Sequence, residues 1–475
     1  MVSTALGLSG HDLIRSVLQE HLESVLEKAE QAGHPLAAHV EQTLRSAVTC
    51  GNPAYGFRRI RCAGCSLDRV VGFSCKRRGV CPSCGGRRMS QRAAWWVDRI
   101  LPRVPVRQWV LSLPFPLRLR LAWDHDLRKA VLGIFLGAVF RFQCRRAKQY
   151  GIPDPQCGSL TVAQNFGGSL NLNLHFHAIL PDGVFRWDDR LEAPRFVSLP
   201  APRTADIQRV VEKIAIRVRR LLVRRGLLEE NQEVPDEEHP FQRASAQGRV
   251  LLGERSGQRM QRVGQTWMFG PPPPRKLPRR CAVFEGFNLH AGVRIGRRQW
   301  SRLEKLCRYI ARPPLAKERL SLREDGQIIL KLKRPWFDGT YALLFEPEVF
   351  VERLAAIVPA PMKNMVHYHG VFASASRWRP LIVPDGVRRQ KKARERRLSK
   401  KPLGYDERWI VWENLLYRVF GRDVVSCPAC GARIWLVDQV TDPVSAQREL
   451  MRMARVANVI AFAPSRGSPA DFFAP

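Results

Sequence analysis

The chain has 475 residues, too many for one ordinary hydrophobic core, so two to four domains are expected. Its 78 Lys and Arg against 43 Asp and Glu give a formal net charge of +35, which makes nucleic acid the expected partner, although a generally basic or ribosome-associated protein is an alternative. No apolar run reaches the length of a membrane span and no secretory signal opens the chain, so we expect a cytoplasmic protein without a membrane partner.

Residues 1–100 are predicted to form a helical and zinc-ribbon DNA-binding domain. Residues 8–48 carry apolar side chains at helical spacing, which predicts one or two amphipathic helices. Twelve cysteines in a cytosolic chain indicate metal binding rather than disulfides. Two Cys-x-x-Cys pairs follow each other closely enough to match the spacing of a four-thiolate zinc ribbon. The predicted zinc ligands are Cys62, Cys65, Cys81 and Cys84.

Two further cysteines of this region, Cys50 and Cys75, could replace one of those ligands or form a second site. The surrounding residues are strongly basic, and we predict that Arg77 and Arg78 contact DNA. The alternative is that the zinc module only stabilises the fold.

Residues 101–375 are predicted to form the second domain, in which helices and strands alternate. The predicted elements up to residue 180 are a helix at 89–102, a strand at 107–113, a helix at 124–149 and strands at 160–166 and 172–180. The segment 184–187 is expected to pair back on the strand before it.

The strand at 172–180 carries His175 and His177 on one face and Leu172, Leu174 and Phe176 on the other, because side chains two apart on a strand share a face. Two neighbouring imidazoles can hold a divalent ion and leave coordination positions open for a phosphate. The alternative is a half-buried strand with incidental histidines.

A basic helix is predicted at 204–227, and the acidic and then proline-rich composition of about 228–280 indicates an insertion. A strand at 284–295 contains His290. A helix then starts near residue 298 and ends at Pro313-Pro314.

Tyr309 lies near the end of that helix, with Arg308 beside it and Arg312 one turn on. A tyrosine among arginines is suited to holding a phosphodiester and attacking it as phenolate. The alternative is a packing residue. Lys305 occupies the position, one turn earlier, where a second tyrosine would share the same helical face.

The remaining motifs are weaker. His367-Tyr-His369 is a second His-x-His, but it lacks the flanking alternation, so we interpret it as not catalytic, although either histidine could contact DNA. Residues 376–475 are expected to be a basic linker and a helical region. Its one knuckle, Cys427-Pro-Ala-Cys430, is either half of a composite zinc site or no site.

Several stretches together resemble transposases of the insertion sequence 91 family, rolling-circle transposases of the HUH superfamily that include the common-region elements. These stretches are Phe73–Cys84, Pro105–Pro114, Asn171–Phe185, Cys307–Leu315 and Lys333–Trp336. The resemblance implies an α+β architecture, in which the N-terminal helices and zinc ribbon precede a ferredoxin-like HUH nuclease domain with a central antiparallel sheet and a basic C-terminal region.

The resemblance also implies that His175 and His177 bind Mg²⁺ or Mn²⁺ and that Tyr309 is the nucleophile, with Lys305 marking a single-tyrosine member. For the third metal ligand we favour His290, for its chemistry and its closeness in sequence to the tyrosine helix, ahead of Gln164 and Asp182.

The expected activity is nicking and rejoining of single-stranded DNA at element ends through a 5′-phosphotyrosine, which drives rolling-circle transposition in the bacterial cytoplasm, at the nucleoid. The expected cofactors are Mg²⁺ or Mn²⁺ at the nuclease site and Zn²⁺ at the N-terminal ribbon. The DNA-binding residues are expected to include Arg308 and Arg312, and host replication proteins are possible partners; the oligomeric state is open. The alternatives are a plasmid rolling-circle replication initiator and a non-catalytic zinc-ribbon DNA-binding regulator.

Overall fold

The computed structural model describes residues 10–65, 67–227, 240–264, 277–385, 415, 417–418 and 423–456. It has the predicted α+β architecture, with N-terminal helices, cysteine clusters and antiparallel sheets in the central region. Among the described helices, none combines the length and the apolar character that crossing a membrane requires.

The N-terminal region begins with two helices, α1 (Gly10–Gln31) and α2 (Ala38–Thr49), followed by a short 3₁₀ turn. Strands β1 (Phe57–Cys62) and β2 (Asp68–Gly72) form an antiparallel pair. Helix α3 (Pro82–Arg99) starts earlier than the sequence predicted, since Cys81 caps its N-terminus and the second knuckle forms its first turn.

The centre of the molecule is an antiparallel seven-stranded sheet. Its strands are β3 (Val106–Ser112), β4 (Gly158–Phe166), β5 (Leu172–Pro181), β9 (Cys281–Phe284), β10 (Phe287–His290), β11 (Arg294–Ile295) and β15 (Val366–Gly370). Six of them follow one another in the order β15-β4-β5-β3-β10-β9, and β11 also pairs with β3.

Helices cover both faces of this sheet, which explains why its strands are more apolar than a simple alternation requires. On one face, Leu174 and Phe176 of β5 pack against α5 (His125–Gln149) and α6 (Thr204–Arg224). On the other, Val162 and Ile179 pack against α3 and α8 (Trp300–Ala311). The histidines of β5 belong to the second face, so the predicted alternation of this strand is confirmed.

A second core lies between the N-terminal helices and a four-stranded sheet. The strands of this sheet are β8 (Gln261–Val263), β12 (Leu320–Leu322), β13 (Ile328–Lys331) and β14 (Ala342–Phe345), in the order β12-β13-β14-β8. The remaining helices and strands before Asp385 are α4 (Phe115–Trp123), β6 (Gly183–Asp188), β7 (Ala193–Ser198), α7 (Pro240–Gln247), α9 (Pro347–Ile357) and α10 (Arg379–Ile382).

The C-terminal segment returns to the N-terminal region. Strand β16 (Ile434–Val440) adds to β1 in a three-stranded sheet of order β16-β1-β2, and α11 (Pro443–Val456) packs beside it. The strand at 184–187 does not pair with β5 as predicted, because β6 forms a separate hairpin with β7. The basic run at 388–401 and most of the predicted insertion lie outside the described residues.

Candidate active site and zinc centre

The candidate active site lies on the face of the central sheet that α8 covers. His175 and His177 project from β5 with their ring centroids 4.8 Å apart. Ser112 and Val110 of β3 lie beside them on one side, and Gln164 and Val162 of β4 on the other. The histidine pair therefore lies in the middle of the sheet, flanked by strands on both sides.

The backbone fixes the tautomer of His175. Its Nδ1 lies 2.8 Å from the carbonyl oxygen of Asn173, and since a carbonyl only accepts, Nδ1 carries the proton and Nε2 keeps a free electron pair. Burial lowers the pKa of His175 to about 4, so the ring is neutral at pH 7. A neutral imidazole with a bare Nε2 is the form that ligates a metal ion.

His177 is held from a neighbouring strand, by an amide rather than a carbonyl oxygen. Its Nδ1 lies 2.8 Å from Nε2 of Gln108, and its Nε2 is buried without a hydrogen-bond partner among the described residues. Burial, with His175 and Arg312 as smaller causes, holds the pKa of His177 well below its usual range. Because a side-chain amide can flip and exchange its oxygen with its nitrogen, Gln108 can also accept from Nδ1–H and leave Nε2 as a bare acceptor.

Gln164 connects the histidine pair to the tyrosine helix. It is paired in register with His175, and its Nε2 donates to the carbonyl oxygen of Ile310 at 2.7 Å. Its Oε1 is buried and accepts no hydrogen bond from any described residue. Such orphaned acceptors carry a free-energy cost that a bound cation can offset.

Tyr309 faces this group of acceptors from α8. Its ring meets the ring of His177 edge-on, at 5.7 Å between centroids and 86° between planes, and 37% of the residue is exposed. The guanidinium carbon of Arg312 lies 4.6 Å from the centre of the tyrosine ring, and Nζ of Lys333 lies 5.5 Å from it.

The cations around Tyr309 are held close together and partly desolvated. Burial, then Arg312 and Arg319, lower the pKa of Lys333 to about 8, and burial lowers the pKa of Arg319 to about 10. Burial also lowers the pKa of Arg312. A site that holds several cationic side chains close together despite their mutual repulsion is suited to binding a phosphate dianion or a phosphodiester.

The structure does not bring His290 to the histidine pair, so the prediction of His290 as third ligand is corrected. His290 lies two strands from His177, with Val110 between them, which separates their backbones by about 10 Å. Asp182 is excluded as well, because Arg107 and Arg294 engage both of its carboxylate oxygens at 2.7–3.0 Å.

The predicted DNA-binding arginines have different surroundings. Arg312 lies at the active site, whereas Arg308 is paired with Glu304 and its side chain is only 11% exposed. Arg77 and Arg78 lie in the loop before α3, where Arg78 is exposed and donates to the carbonyl oxygen of Lys363.

The second His-x-His lies on β15 at the edge of the same sheet. His367 and His369 pair in register with Thr161 and Ser159, while Tyr368 between them accepts a hydrogen bond from the indole of Trp96 on the α3 side. The two histidines therefore belong to the opposite face from Tyr309.

Four thiols gather where α2 ends and α3 begins. Cys50, Cys75, Cys81 and Cys84 have all their sulfurs within 4.8 Å of one another, with contacts of 3.5–3.7 Å. A tetrahedral zinc ion with bonds of about 2.3 Å requires sulfur separations of about 3.8 Å. This cluster has the composition and spacing of a structural zinc centre.

The predicted grouping of Cys62, Cys65, Cys81 and Cys84 into one site is therefore wrong. Cys62 and Cys65 lie instead beside Cys427 and Cys430. The physical reason is the early start of α3, which turns the second knuckle toward the end of α2, away from the end of β1.

The zinc centre is packed directly behind the tyrosine helix. Gly85, next to Cys84, approaches Pro313 so closely that an added Cβ would lie 2.6 Å from the proline Cβ. Because α3 packs along α8, the thiolate cluster stabilises the helix that carries Tyr309.

Sequence reasoning missed two residues of the site. Gln108 carries no motif of its own and is recognised only through its contact with His177. Lys333 belongs to the stretch Lys333–Trp336, which contributed to the family resemblance, but nothing in the sequence placed it beside Tyr309.

Two known families match parts of the chain. Residues 17–113 match a family described as “Transposase zinc-binding domain”, and residues 158–379 match one described as “Putative transposase”. No curated protein and no solved structure matched the chain.

The two matches define a DNA-processing enzyme, a transposase with an N-terminal zinc-binding domain. The chain belongs to the insertion sequence 91 family of transposases, as the resemblance predicted.

Proposed function

We propose that this transposase nicks and rejoins single-stranded DNA at element ends through a 5′-phosphotyrosine on Tyr309, with Mg²⁺ or Mn²⁺ held by the histidine pair. The observation that carries the proposal is the edge-on contact of Tyr309 with His177, on a face where buried acceptors converge. A nucleophile and a metal site must lie this close to act on one phosphate.

The donor set fits a divalent cation. His175 offers a bare Nε2, and Gln164 Oε1 is a buried acceptor without a partner in the described structure. His177 Nε2, also buried without a partner there, is a bare acceptor when the Gln108 amide is flipped. We propose Gln164 as the third protein ligand, because it is the register neighbour of His175. Two imidazoles and one amide oxygen leave positions for water and a phosphate oxygen. When bound, the cation supplies Lewis-acid stabilisation of charge on the scissile phosphate.

Arg312 and Lys333 hold the phosphodiester over the tyrosine. Both cationic groups lie within 5.5 Å of the Tyr309 ring centre, and Arg319 adds to the same field. A bidentate guanidinium and an ammonium point charge together fix the phosphate and oppose its negative charge. Their partial burial strengthens these interactions relative to an exposed pair.

The reaction exchanges one phosphoester for another. Tyr309 Oη forms a bond to phosphorus as its proton is released, the bond from phosphorus to the 3′ oxygen breaks, and the departing oxygen gains a proton. The product is a 5′-phosphotyrosine and a free 3′-hydroxyl. Because one ester replaces another, attack by a 3′-hydroxyl reverses the step and joins the strand. The 3′-hydroxyl released at nicking can prime replication by host enzymes.

One chain forms one adduct at a time in this proposal. Lys305 is exposed one turn before Tyr309, where a two-tyrosine site would carry its second nucleophile. Rolling-circle transfer by a single tyrosine therefore uses the joining step to free Tyr309 before the next nick.

A groove beside the N-terminal end of β5 offers a path for the single strand. It encloses about 880 Å³ and includes Asn171, four residues before His175. Arg249, Arg259 and Arg262 line it together with Trp336, and the guanidinium of Arg262 lies 4.9 Å from the Trp336 ring centre. Arginines that follow a backbone and an aromatic ring on which a base can stack are the usual elements of single-strand binding.

The test is covalent capture of single-stranded DNA that carries the element's end, with and without Mn²⁺. We expect a metal-dependent adduct that resists denaturation in the wild type and in Tyr150→Phe, an exposed tyrosine at the end of α5. Tyr309→Phe should form no adduct while binding the same DNA. If no adduct formed although DNA was bound, a non-catalytic DNA-binding role would replace the proposal. An adduct that persisted in Tyr309→Phe would assign the nucleophile elsewhere.

A further inference from the structure

A second group of four thiols lies at the far end of the zinc-binding region, and two of its cysteines fall outside the residues that the two families match. Cys62 and Cys65 come from the end of β1, and Cys427 and Cys430 from the segment before β16. All four sulfurs lie within 4.8 Å of one another, with Cys62 3.3 Å from Cys430 and Cys65 3.6 Å from Cys427. The family matches end at residues 113 and 379, so neither contains the second pair.

Each pair has the backbone of a metal knuckle. The amide of Gly64 donates to Cys62 Sγ at 3.3 Å, and the amide of Gly431, at φ 73°, donates to the carbonyl oxygen of Cys427 at 2.8 Å. A positive φ at that position suits glycine, which carries no Cβ. Turns of this kind hold two sulfurs of a Cys-x-x-Cys on one tetrahedral ion.

Glycine also allows the two knuckles to approach each other. A Cβ on Gly64 would lie 2.8 Å from the Cβ of Ala432 and 3.2 Å from Cys430 Sγ. The backbone amide of Ala63 donates to the carbonyl oxygen of Arg433 at 3.1 Å, directly across this contact. The two turns therefore form one continuous structure, although they come from distant parts of the chain.

Little apolar burial holds this structure together. Among the described residues, the core between the small sheet and α11 has four buried side chains, Phe57, Val70, Ala446 and Met453, with Val440 and Leu450 partly buried against it. Trp435, Leu436 and Val437 of β16 are each about half exposed. A module with so small a core requires a covalent or metal cross-link to be stable.

We propose that Cys62, Cys65, Cys427 and Cys430 bind a second structural zinc ion, which fastens the C-terminal segment to the N-terminal module. Four thiolates leave no open coordination position, so the site is structural and takes no part in the chemistry at Tyr309. The zinc ion and strand β16 then stabilise each other, because the ligands meet only when β1 and β16 are paired.

The test is the zinc content of the purified full-length chain, measured by elemental analysis. We expect two zinc ions per wild-type chain and one in Cys427→Ser/Cys430→Ser. The matched control Cys144→Ser/Cys281→Ser removes the same number of thiols elsewhere and should retain two. Hydrogen exchange should become faster across Ile434–Val440 in the first variant and remain unchanged in α3.

Cys430→His separates metal binding from folding, because histidine is also a zinc ligand and position 430 is exposed. We expect this variant to retain two zinc ions and a protected β16, whereas Cys430→Ser loses one ion. One zinc ion in the wild type, or two in Cys427→Ser/Cys430→Ser, would overturn the proposal. So would an intact mass showing disulfides among these four cysteines in place of the second ion.

Discussion

The same motif, His-x-His, occurs twice in the central sheet, on β5 and on β15, and of the two copies the one on β5 faces Tyr309, the proposed nucleophile. The rings of His175 and His177 are 4.8 Å apart, and the ring of His177 meets that of Tyr309. The rings of His367 and His369 are 6.1 Å apart on the opposite face. The motif alone therefore does not determine whether a histidine pair faces Tyr309.

The neighbours of each pair account for the difference. Beside His175 lies an amide acceptor without a partner in the described chain, whereas beside His367 lies the hydroxyl of Thr161. Burial, His369 and then Arg128 lower the pKa of His367 to about 4. Thr161 donates its hydroxyl to Ser159 and so offers no unpartnered amide oxygen, and the pair faces away from Tyr309. We therefore infer that the pair on β15 is a structural element.

The strongest way to test this comparison is to remove one imidazole from each pair. His177→Ala should reduce metal-dependent nicking by about 1,000-fold, since losing a Lewis acid costs about 4 kcal/mol of transition-state stabilisation. The matched variant His369→Ala should stay within about threefold of wild type, as expected for a residue that contacts no reacting group. Adduct formation per folded molecule is the measurement, and equal losses in both variants would contradict the assignment.

A smaller effect is expected from the residues beside the two pairs. Gln164→Ala should weaken Mn²⁺ binding by about 10- to 100-fold, because it removes the proposed oxygen ligand and the hydrogen bond to Ile310. Thr161→Ala, at the corresponding position beside His367, should leave the affinity unchanged. Titration with Mn²⁺ followed by calorimetry measures both, and an unchanged affinity in Gln164→Ala would exclude this residue as a ligand.

The pH dependence of DNA binding should test whether the DNA binds on the Tyr309 face of the sheet, because Lys333 lies beside Tyr309. The Lys333 pKa of about 8 means that this side chain is charged below pH 8 and neutral above it. A phosphate favours the charged form and raises the pKa in the complex, so the affinity should be constant below pH 8 and fall by up to about tenfold per pH unit above it.

Lys333→Arg should remove this decrease, because a guanidinium remains charged throughout. Lys331→Arg, two residues away at an exposed position of β13, is the matched control and should keep the wild-type profile. Fluorescence anisotropy with labelled single-stranded DNA from pH 6.5 to about 9.5 covers the transition. A profile of Lys333→Arg that still fell above pH 8 would assign the titration to another group.

Local patterns predicted much of the site. The alternation of β5 and the apolar spacing of α8 depend on residues two to four positions apart, so the faces of His175 and Tyr309 follow from the sequence. The third metal ligand could not be predicted from the sequence. His290 is close to α8 along the chain, but this closeness does not determine the order of the strands in the sheet. We propose Gln164 in its place because the pairing of β4 with β5 puts it beside His175.

The cysteines show the same limit over a longer range. The two Cys-x-x-Cys pairs of the N-terminal region satisfy the spacing of one ribbon, and no local signal indicates that each joins a different partner. Cys62 and Cys65 find theirs through the pairing of β1 with β16, which joins the two ends of the described chain. Sequence spacing could identify thiolate ligands but not their grouping.

The smallest effect on the reaction is expected from replacing Tyr368. This residue lies between the two histidines of β15, and its side chain points to the face of the sheet that α3 covers, opposite to theirs. Its hydroxyl accepts the indole N–H of Trp96 at 3.1 Å, and Trp96 is 1% exposed. Tyr368→Phe leaves that buried donor without its acceptor, which should lower the free energy of unfolding by about 1–2 kcal/mol.

Nicking per folded molecule should remain at the wild-type level in Tyr368→Phe, since the hydroxyl joins α3 to the sheet and contacts no residue of the Tyr309 site. Urea denaturation measures the loss of stability, and Tyr341→Phe, a partly exposed tyrosine of the second sheet region, is the control expected to be neutral. A large loss of nicking in Tyr368→Phe without a loss of stability would mean that β15 takes part in the reaction. The opposite result would show that Tyr368 on β15 stabilises the packing of α3 and takes no part in nicking.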